Sequence, residues 1–134
     1  MFKVGSIDAQ EFSHDDRLEI LKILDEQVVC WNKGDIGCFM NGYWKSDSLS
    51  FISDNEIMHG WQFVYDRYKK NYPDKSAMGK LAFTVLSVKA ISNKYAYVIG
   101  KWEVVKEKET PGGHFSLIFQ RINGKWLIVA DHTG

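Results

Sequence analysis

Apolar positions recur at helical spacing in the first part of the chain and alternate along its second half. Ser13 and Asp16 together resemble a capping box. An amphipathic pattern follows Ser13 and continues to Gly34. Its apolar positions are Leu21, Leu24, Val28 and Trp31. This spacing predicts a first helix from residue 14 to residue 34. A shorter second helix is predicted over 35–43, with Asp35 as its cap and Gly42 near its end.

The middle of the chain predicts two short strands and a third helix. Residues 47–53 and 55–60 form alternating segments around a turn at Asp54-Asn55. The helix covers 61–72 and ends before Pro73, and residues 74–79 are predicted as a loop. Four aromatic residues of this helix fall on one stripe, namely Trp61, Tyr65, Tyr68 and Tyr72.

The second half predicts four long strands. They cover 80–91, 95–105, 114–122 and 125–133, and Asn123-Gly124 between the last two is a strong hairpin signal. Helices followed by a strand meander indicate an α+β fold, a curved antiparallel sheet of about six strands with helices on one face. We interpret residues 1–12 as a flexible N-terminal arm and 13–134 as a single domain.

A two-residue turn at Asn123-Gly124 would set the register of the last hairpin. His114, Ser116 and Asp131 then share one sheet face, while Phe115 and His132 share the other. We assign the first face to a cavity under the helices, because its apolar surface becomes polar toward one end. A single β-bulge would exchange the faces beyond it and turn His132 inward instead.

Composition narrows the possible partners. The 134 residues carry 17 Lys+Arg and 17 Asp+Glu, so no basic field favours nucleic acid or an acidic membrane. Both faces of the hairpin are largely apolar and need covering, and we expect the second face to be covered in a homodimer. We expect Cys30 and Cys38 to be reduced thiols. A cytoplasmic location is the default expectation, although a chain whose signal peptide had been removed would look similar.

Three segments together resemble a known superfamily. They are "CWNKGDIGCFMNGYWKSDSLSFI", "HGWQFVYDRYKK" and "FQRINGKWLIVADHTG". They are similar to the nuclear transport factor two-like superfamily, in particular to its small bacterial SnoaL-like domains that resemble polyketide cyclases and ketosteroid isomerases. The resemblance spans roughly residues 14–134. It implies a cone of three helices on a strongly curved sheet, with a hydrophobic pocket inside and dimerisation through the sheet.

The chain also departs from relatives of known activity. Ketosteroid isomerases carry a proton-shuttling Asp on the first strand, where this chain has Phe51 or Ile52. Their oxyanion-hole acid matches roughly Ile118, and the pocket arginine of the kinase association domain matches Thr133. The resemblance therefore implies the fold more strongly than any one activity.

Asp131 and His114 are the candidate catalytic residues. In the predicted register they are diagonal neighbours, and a carboxylate beside an imidazole can form a general acid or base near neutral pH. The alternative is a structural Asp–His contact that closes the rim of the sheet. The spacing of His114, Asp131 and His132 does not predict a metal site, and we expect no cofactor.

Further residues are candidates for the wall of a small-molecule site. Tyrosines on a buried stripe need hydrogen-bond partners, which a cavity supplies more easily than a dry core. The ligand-binding candidates are Trp44, Trp61, Tyr65, Tyr68, Trp102, Ser116 and His132. For each of them, packing in the core or at the surface is the alternative interpretation.

Three functional hypotheses follow. The first is binding of a small apolar or carbonyl-containing molecule, with cofactor-free acid–base chemistry such as isomerisation, dehydration or cyclisation. The second is a non-catalytic binding module, and the third is an assembly domain that only dimerises. Whether the protein is an enzyme stays open at this point.

Overall fold

A computed structural model describes residues 11–134, and the predicted arm lies mostly outside that range. Phe12, at the end of that arm, packs edge-to-face on Trp126 with 5.5 Å between the ring centroids. Four α-helices and six strands follow. The helices are α1 (His14–Asn32), α2 (Ile36–Phe39), α3 (Trp61–Asn71) and α4 (Lys75–Met78), and a 3-10 turn covers Met40–Gly42. The strands are β1 (Ser50–Ile52), β2 (Ile57–His59), β3 (Lys80–Ala90), β4 (Tyr95–Val105), β5 (Gly112–Ile122) and β6 (Lys125–Thr133).

The predicted capping box begins α1. The backbone N–H of Asp16 donates to the Ser13 hydroxyl, and the Ser13 backbone N–H donates to the Asp16 carboxylate. Asp35 caps α2 in the predicted way by accepting from the backbone N–H of Cys38. The loop predicted over 74–79 is wrong, because the Asp74 carboxylate accepts from Ala77 N–H and starts α4 there.

The fold is α+β, as predicted, but the sheet is mixed rather than wholly antiparallel. Its strand order is β2-β1-β6-β5-β4-β3, and β1 runs parallel to β6 while the other neighbours are antiparallel. The chain reaches this arrangement because the segment after α2 returns to the edge of the last strand. There, the Trp44 backbone N–H donates to the Ile128 carbonyl over 2.9 Å.

The helices cover the inner face of the curved sheet, and the core lies between the two layers. Gly100 on β4 allows this packing, because a Cβ at that position would lie 2.3 Å from the Phe115 ring. Phe115 therefore lies across β4 and packs on Phe83 of β3, with 5.2 Å between the ring centroids. Within residues 11–134, no helix is both long enough and apolar enough to cross a membrane.

Cys30 and Cys38 form a disulfide, so the expectation of two reduced thiols is wrong. The turn at Gly34, whose φ is +82°, folds α2 back against α1. The two Cα atoms consequently lie 5.4 Å apart, which is within the range that a disulfide spans. The bond joins the residues that directly precede Trp31 and Phe39, whose rings pack on each other with 5.1 Å between the centroids.

Candidate functional site

A cavity of about 320 Å³ lies between the inner face of the sheet and the helices. Nine aromatic side chains line it, and they come from every layer of the fold. Tyr68 of α3 lies at the centre of this aromatic wall, and its ring contacts the rings of Trp31, Phe39, Phe51 and Tyr72. The concave shape and the mostly apolar lining are typical of small-molecule sites.

Among the described residues, Asp131 is the one carboxylate buried in the wall of this cavity. The exposed fraction of this residue is 5%. Its Oδ2 accepts a hydrogen bond from the Tyr43 hydroxyl over 2.7 Å, and its Oδ1 accepts one from the Thr133 hydroxyl over 2.5 Å. Burial raises the pKa of Asp131 from 3.8 to about 6. The two hydrogen bonds and the nearby charge of His132 oppose that rise without cancelling it.

Two phenols accompany this carboxylate. Burial raises the pKa of Tyr43 well above its ordinary value, and the charge of Asp131 and the neighbouring Tyr68 add to the effect. Burial likewise raises the pKa of Tyr68, with further contributions from Asp131 and Tyr72, while its hydrogen bond with Tyr43 acts in the opposite direction. Both phenols therefore stay protonated at neutral pH. Tyr43 donates its hydrogen bond to Asp131, which leaves the Tyr68 hydroxyl to donate into the site.

A β-bulge turns Asp131 toward the cavity. The two-residue turn at Asn123-Gly124 is present, with positive φ at both residues and Ile122 opposite Lys125. The register then shifts, because Phe119 pairs with Ile128 but Ile118 pairs with Ala130. One extra residue, Val129, is accommodated in β6, so the side chains beyond it exchange faces.

The predicted assignment of the two faces is wrong. Phe115, Leu117 and Phe119 face the interior, and the bulge adds Asp131 to that side, where it pairs with Leu117. Asp131 nevertheless faces the cavity, as predicted. The predicted faces are the reverse of those observed, and the bulge exchanges the faces again beyond Val129, so the two differences cancel at Asp131.

The same geometry separates Asp131 from the other polar residues of the hairpin. His114 is exposed and pairs with Lys101 on the outer face, while Ser116 pairs with His132 there. The predicted pairing of His114 with Asp131 is therefore wrong, and so is the placement of Ser116 in the cavity. His132 lies on the outer face, because successive side chains of a strand point to opposite faces and His132 directly follows Asp131.

The aromatic candidates divide into two groups. Tyr68 and Trp102 line the cavity, as predicted. Trp44 and Trp61 do not, since Trp44 belongs to the segment that reaches β6 and the Trp61 indole donates to the Met40 carbonyl over 3.0 Å. Tyr65 packs on Trp61 and lines a separate surface groove between the Gly34 turn and α4. The aromatic stripe on α3 therefore lies on two surfaces, because Tyr68 lines the cavity and Tyr65 lines the groove.

Sequence reasoning missed several polar residues of the cavity. Tyr43, Thr133 and Gln27 carried no local signal of function, although a hydroxyl two residues after Asp131 could have suggested a strand-end contact. Gln27 is buried in α1, and its side-chain amide donates to the Phe39 carbonyl over 3.2 Å. At the mouth of the cavity, Arg67 and Glu56 form an ion pair.

The charge of the cavity wall is acidic on balance. The charged side chains that residues 11–134 place in the wall are Asp54, Glu56, Arg67 and Asp131, and the cation among them is paired with Glu56. Across the described range 11–134, no three His, Cys, Asp or Glu side chains are grouped to hold a metal ion. A buried carboxylate beside two phenols in a mostly apolar cavity is a set of groups suited to acid–base chemistry on a small molecule.

Comparison with solved structures gives the family. An NTF2-like protein of unknown function from Shewanella oneidensis MR-1 is 39% identical, with a TM-score of 0.85, over 87% of this chain and 97% of that chain. The chain belongs to the NTF2-like family. The resemblance predicted from the sequence is thereby confirmed. No protein-family model and no curated protein matches the chain at a significant level.

More distant neighbours among the solved structures share the fold. A cystatin-like domain of unknown function from Nostoc punctiforme is 15% identical, with a TM-score of 0.78, over 90% of this chain and 77% of that chain. A ketosteroid isomerase-like protein from Erwinia carotovora is 13% identical, with a TM-score of 0.70, over 90% of this chain and 96% of that chain. At these identities the comparison establishes the cone-shaped α+β fold, and activity has to be argued from the site.

Proposed function

We propose that this NTF2-like protein binds a small, mostly apolar molecule in its cavity and that Asp131 exchanges a proton with that molecule. The observation that carries the proposal is a single carboxylate buried in an aromatic wall. A general acid or base works best when its pKa lies near the working pH, and the pKa of Asp131 is about 6. This chemistry needs only groups that the chain itself supplies.

The hydrogen bonds around Asp131 support this role. Tyr43 and Thr133 hold the carboxylate in one orientation within the wall of the cavity. Tyr68 adds a neutral donor that can stabilise negative charge developing on a bound carbonyl or hydroxyl group, while Tyr43 donates to Asp131 itself. In this arrangement His114 has no part, because it lies on the outer face of the sheet.

Proton exchange provides the test of catalysis. A panel of small carbonyl compounds is incubated with the protein in deuterated water, and exchange at the carbon next to the carbonyl is followed by NMR. We expect Asp131→Asn to slow the exchange by about 10²–10⁴-fold, the range typical of a removed general base. Asp25→Asn, the same change at an exposed position of α1, should leave the rate unchanged. Equal rates for the wild type and Asp131→Asn would exclude Asp131 as the base.

A non-catalytic binding module is the second candidate. It is favoured by the fact that both oxygens of Asp131 already accept hydrogen bonds from the protein. Binding is measured with the neutral fluorescent probe N-phenyl-1-naphthylamine. Saturable probe binding without proton exchange on any compound would assign the cavity to storage or sensing, and absence of both would overturn the proposed function.

We also propose that a second copy of this chain covers the outer face of the sheet. Half-buried apolar side chains from three strands share that face, namely Tyr97 and Ile99 on β4, Ile118 on β5 and Leu127 on β6. The proposal rests on their contiguity, since single surface apolar residues need no explanation but a continuous patch does.

Ile118→Glu is expected to convert the proposed dimer into a monomer, because the interface would then bury two unpaired carboxylates. The mass in solution is measured by light scattering. Ile91→Glu, which places the same charge at an exposed position in the β3–β4 turn, should leave the mass unchanged. A monomeric wild type, or a dimer that persists in Ile118→Glu, would refute the proposed interface.

A further inference from the structure

Two carboxylates are buried within residues 11–134, and their surroundings differ in one respect. Asp16 is paired with the Arg121 guanidinium through contacts of 2.7 and 3.1 Å. Asp131 receives hydrogen bonds from two neutral hydroxyls, and no lysine or arginine of that range forms an ion pair with it. A buried carboxylate without a countercharge is costly, and a cation placed beside it offsets that cost.

The described part of the chain, residues 11–134, offers a ligand in the cavity no free positive charge. Arg67 is the only lysine, arginine or histidine that this part places in the wall, and Glu56 already pairs with it. Asp54 adds a second acid at the mouth. An anionic ligand would therefore meet net negative charge on entry and a buried carboxylate inside, whereas a cation would be attracted at both places.

The aromatic wall provides a second, independent preference for a cation. The rings of Phe39, Phe51 and Tyr68 pack around the Tyr43–Asp131 pair, and each ring face carries the negative part of its quadrupole. Organic ammonium groups are recognised by such aromatic enclosures, which replace lost water with cation–π contacts. An alkylated ammonium group is complementary in charge and polarity to an aromatic enclosure that, within residues 11–134, holds one buried carboxylate and no free cation.

We infer that the ligand of this cavity is a small organic cation, an alkylated amine or quaternary ammonium compound whose charged group lies between Asp131 and the aromatic wall. This inference rests on the proposed binding function and narrows its ligand class. The apolar substituents of such a cation would fill the remainder of the 320 Å³ cavity. Tyr43 and Thr133 would keep the carboxylate oriented toward the charge.

A pair of probes of equal shape tests the inference. Phenyltrimethylammonium and tert-butylbenzene differ only in the central nitrogen or carbon, so they fill the same space with and without charge. Each is used to displace N-phenyl-1-naphthylamine from the wild type, from Asp131→Asn and from the matched control Asp25→Asn. At pH 7.5 we expect the cation to displace the probe at least about tenfold more strongly in the wild type and the control. We expect the preference to disappear in Asp131→Asn.

The pH dependence gives a readout that needs no substitution. The groups facing Asp131 are the hydroxyls of Tyr43, Tyr68 and Thr133, while His132 on the outer face contributes only a weak charge effect. The three hydroxyls stay neutral over the working range. Affinity for the cation should therefore rise from pH 5 to pH 7 as Asp131 ionises, while affinity for tert-butylbenzene stays constant.

The outcomes separate the two claims. If the neutral compound displaces the probe as well as or better than the cation, the ligand class is wrong while the binding function stands. A cation preference that persists in Asp131→Asn would also overturn the inference, because the charge would then be recognised elsewhere. If the probe itself does not bind, the inference fails, and if no compound exchanges a proton either, the proposed function fails with it.

Discussion

Replacing Asp16 by alanine is expected to lower the free energy of unfolding by about 3–5 kcal/mol, the range for breaking a buried ion pair by removal of one partner. Asp16 is 7% exposed and accepts hydrogen bonds from Ser13, Arg121 and Trp126. Its removal leaves the Arg121 guanidinium without a countercharge and the Trp126 indole without its acceptor. It also removes half of the capping box that starts α1.

Urea unfolding followed by tryptophan fluorescence measures this effect. Asp15→Ala is the matched control, since Asp15 is the neighbouring acid in the same helical turn but is exposed, and we expect a change within about 0.5 kcal/mol. A combined Asp16→Leu and Arg121→Met variant should recover part of the loss, because it leaves no buried charge unpaired. A loss below about 1 kcal/mol for Asp16→Ala would contradict the prediction.

Asp131 should make the protein less stable as the pH rises, with a total effect of about 3 kcal/mol. Its pKa in the folded state is about 6, above the 3.8 of the ordinary carboxyl group. The folded protein therefore holds this proton more tightly than the unfolded chain. The corresponding stability is fully present below pH 3.8 and is lost as the pH rises through 6. Asp131→Asn lacks this dependence.

The check is a comparison of the unfolding free energies of wild type and Asp131→Asn between pH 4 and pH 7. The difference should move in favour of Asp131→Asn as the pH rises. Asp16 has the opposite sign, because its pKa is lowered, chiefly by the hydrogen bond from Arg121, and its stability is lost only as the pH falls. That contribution is common to both proteins and cancels. A difference that is constant across this range would show that the pKa of Asp131 is not raised.

The parts of this fold that could be predicted from the sequence are those with a local signal. The capping box of α1 involves residues three apart, and the Asn123-Gly124 turn needs only its own two residues. Alternation likewise located the long strands, and β4 and β6 begin and end at the predicted residues. Each of these features leaves its signal in residues that are close together in the chain.

The site depends on contacts that no local pattern records. Tyr43 and Asp131, which form its central hydrogen bond, are 88 positions apart in the sequence. The parallel pairing of β1 with β6 joins Phe51 to Asp131 over a similar distance. The bulge at Val129 has no local signal either, because a valine fits both a regular strand and a bulged one. Assigning side chains to faces therefore failed where the register changed, although the turn was predicted correctly.

The bulge makes the chemistry of the cavity depend on how one residue is accommodated. Val129 stands between Ile128 and Ala130 without a partner on β5, and this position decides which parity of the terminal segment faces inward. If Val129 entered the regular ladder instead, an imidazole would turn toward the interior and an acid toward solvent without altering either side chain. Within this family, a relative that keeps these residues but lacks the bulge could therefore differ in the proton chemistry of the interior, and comparisons of aligned side chains alone would miss the change.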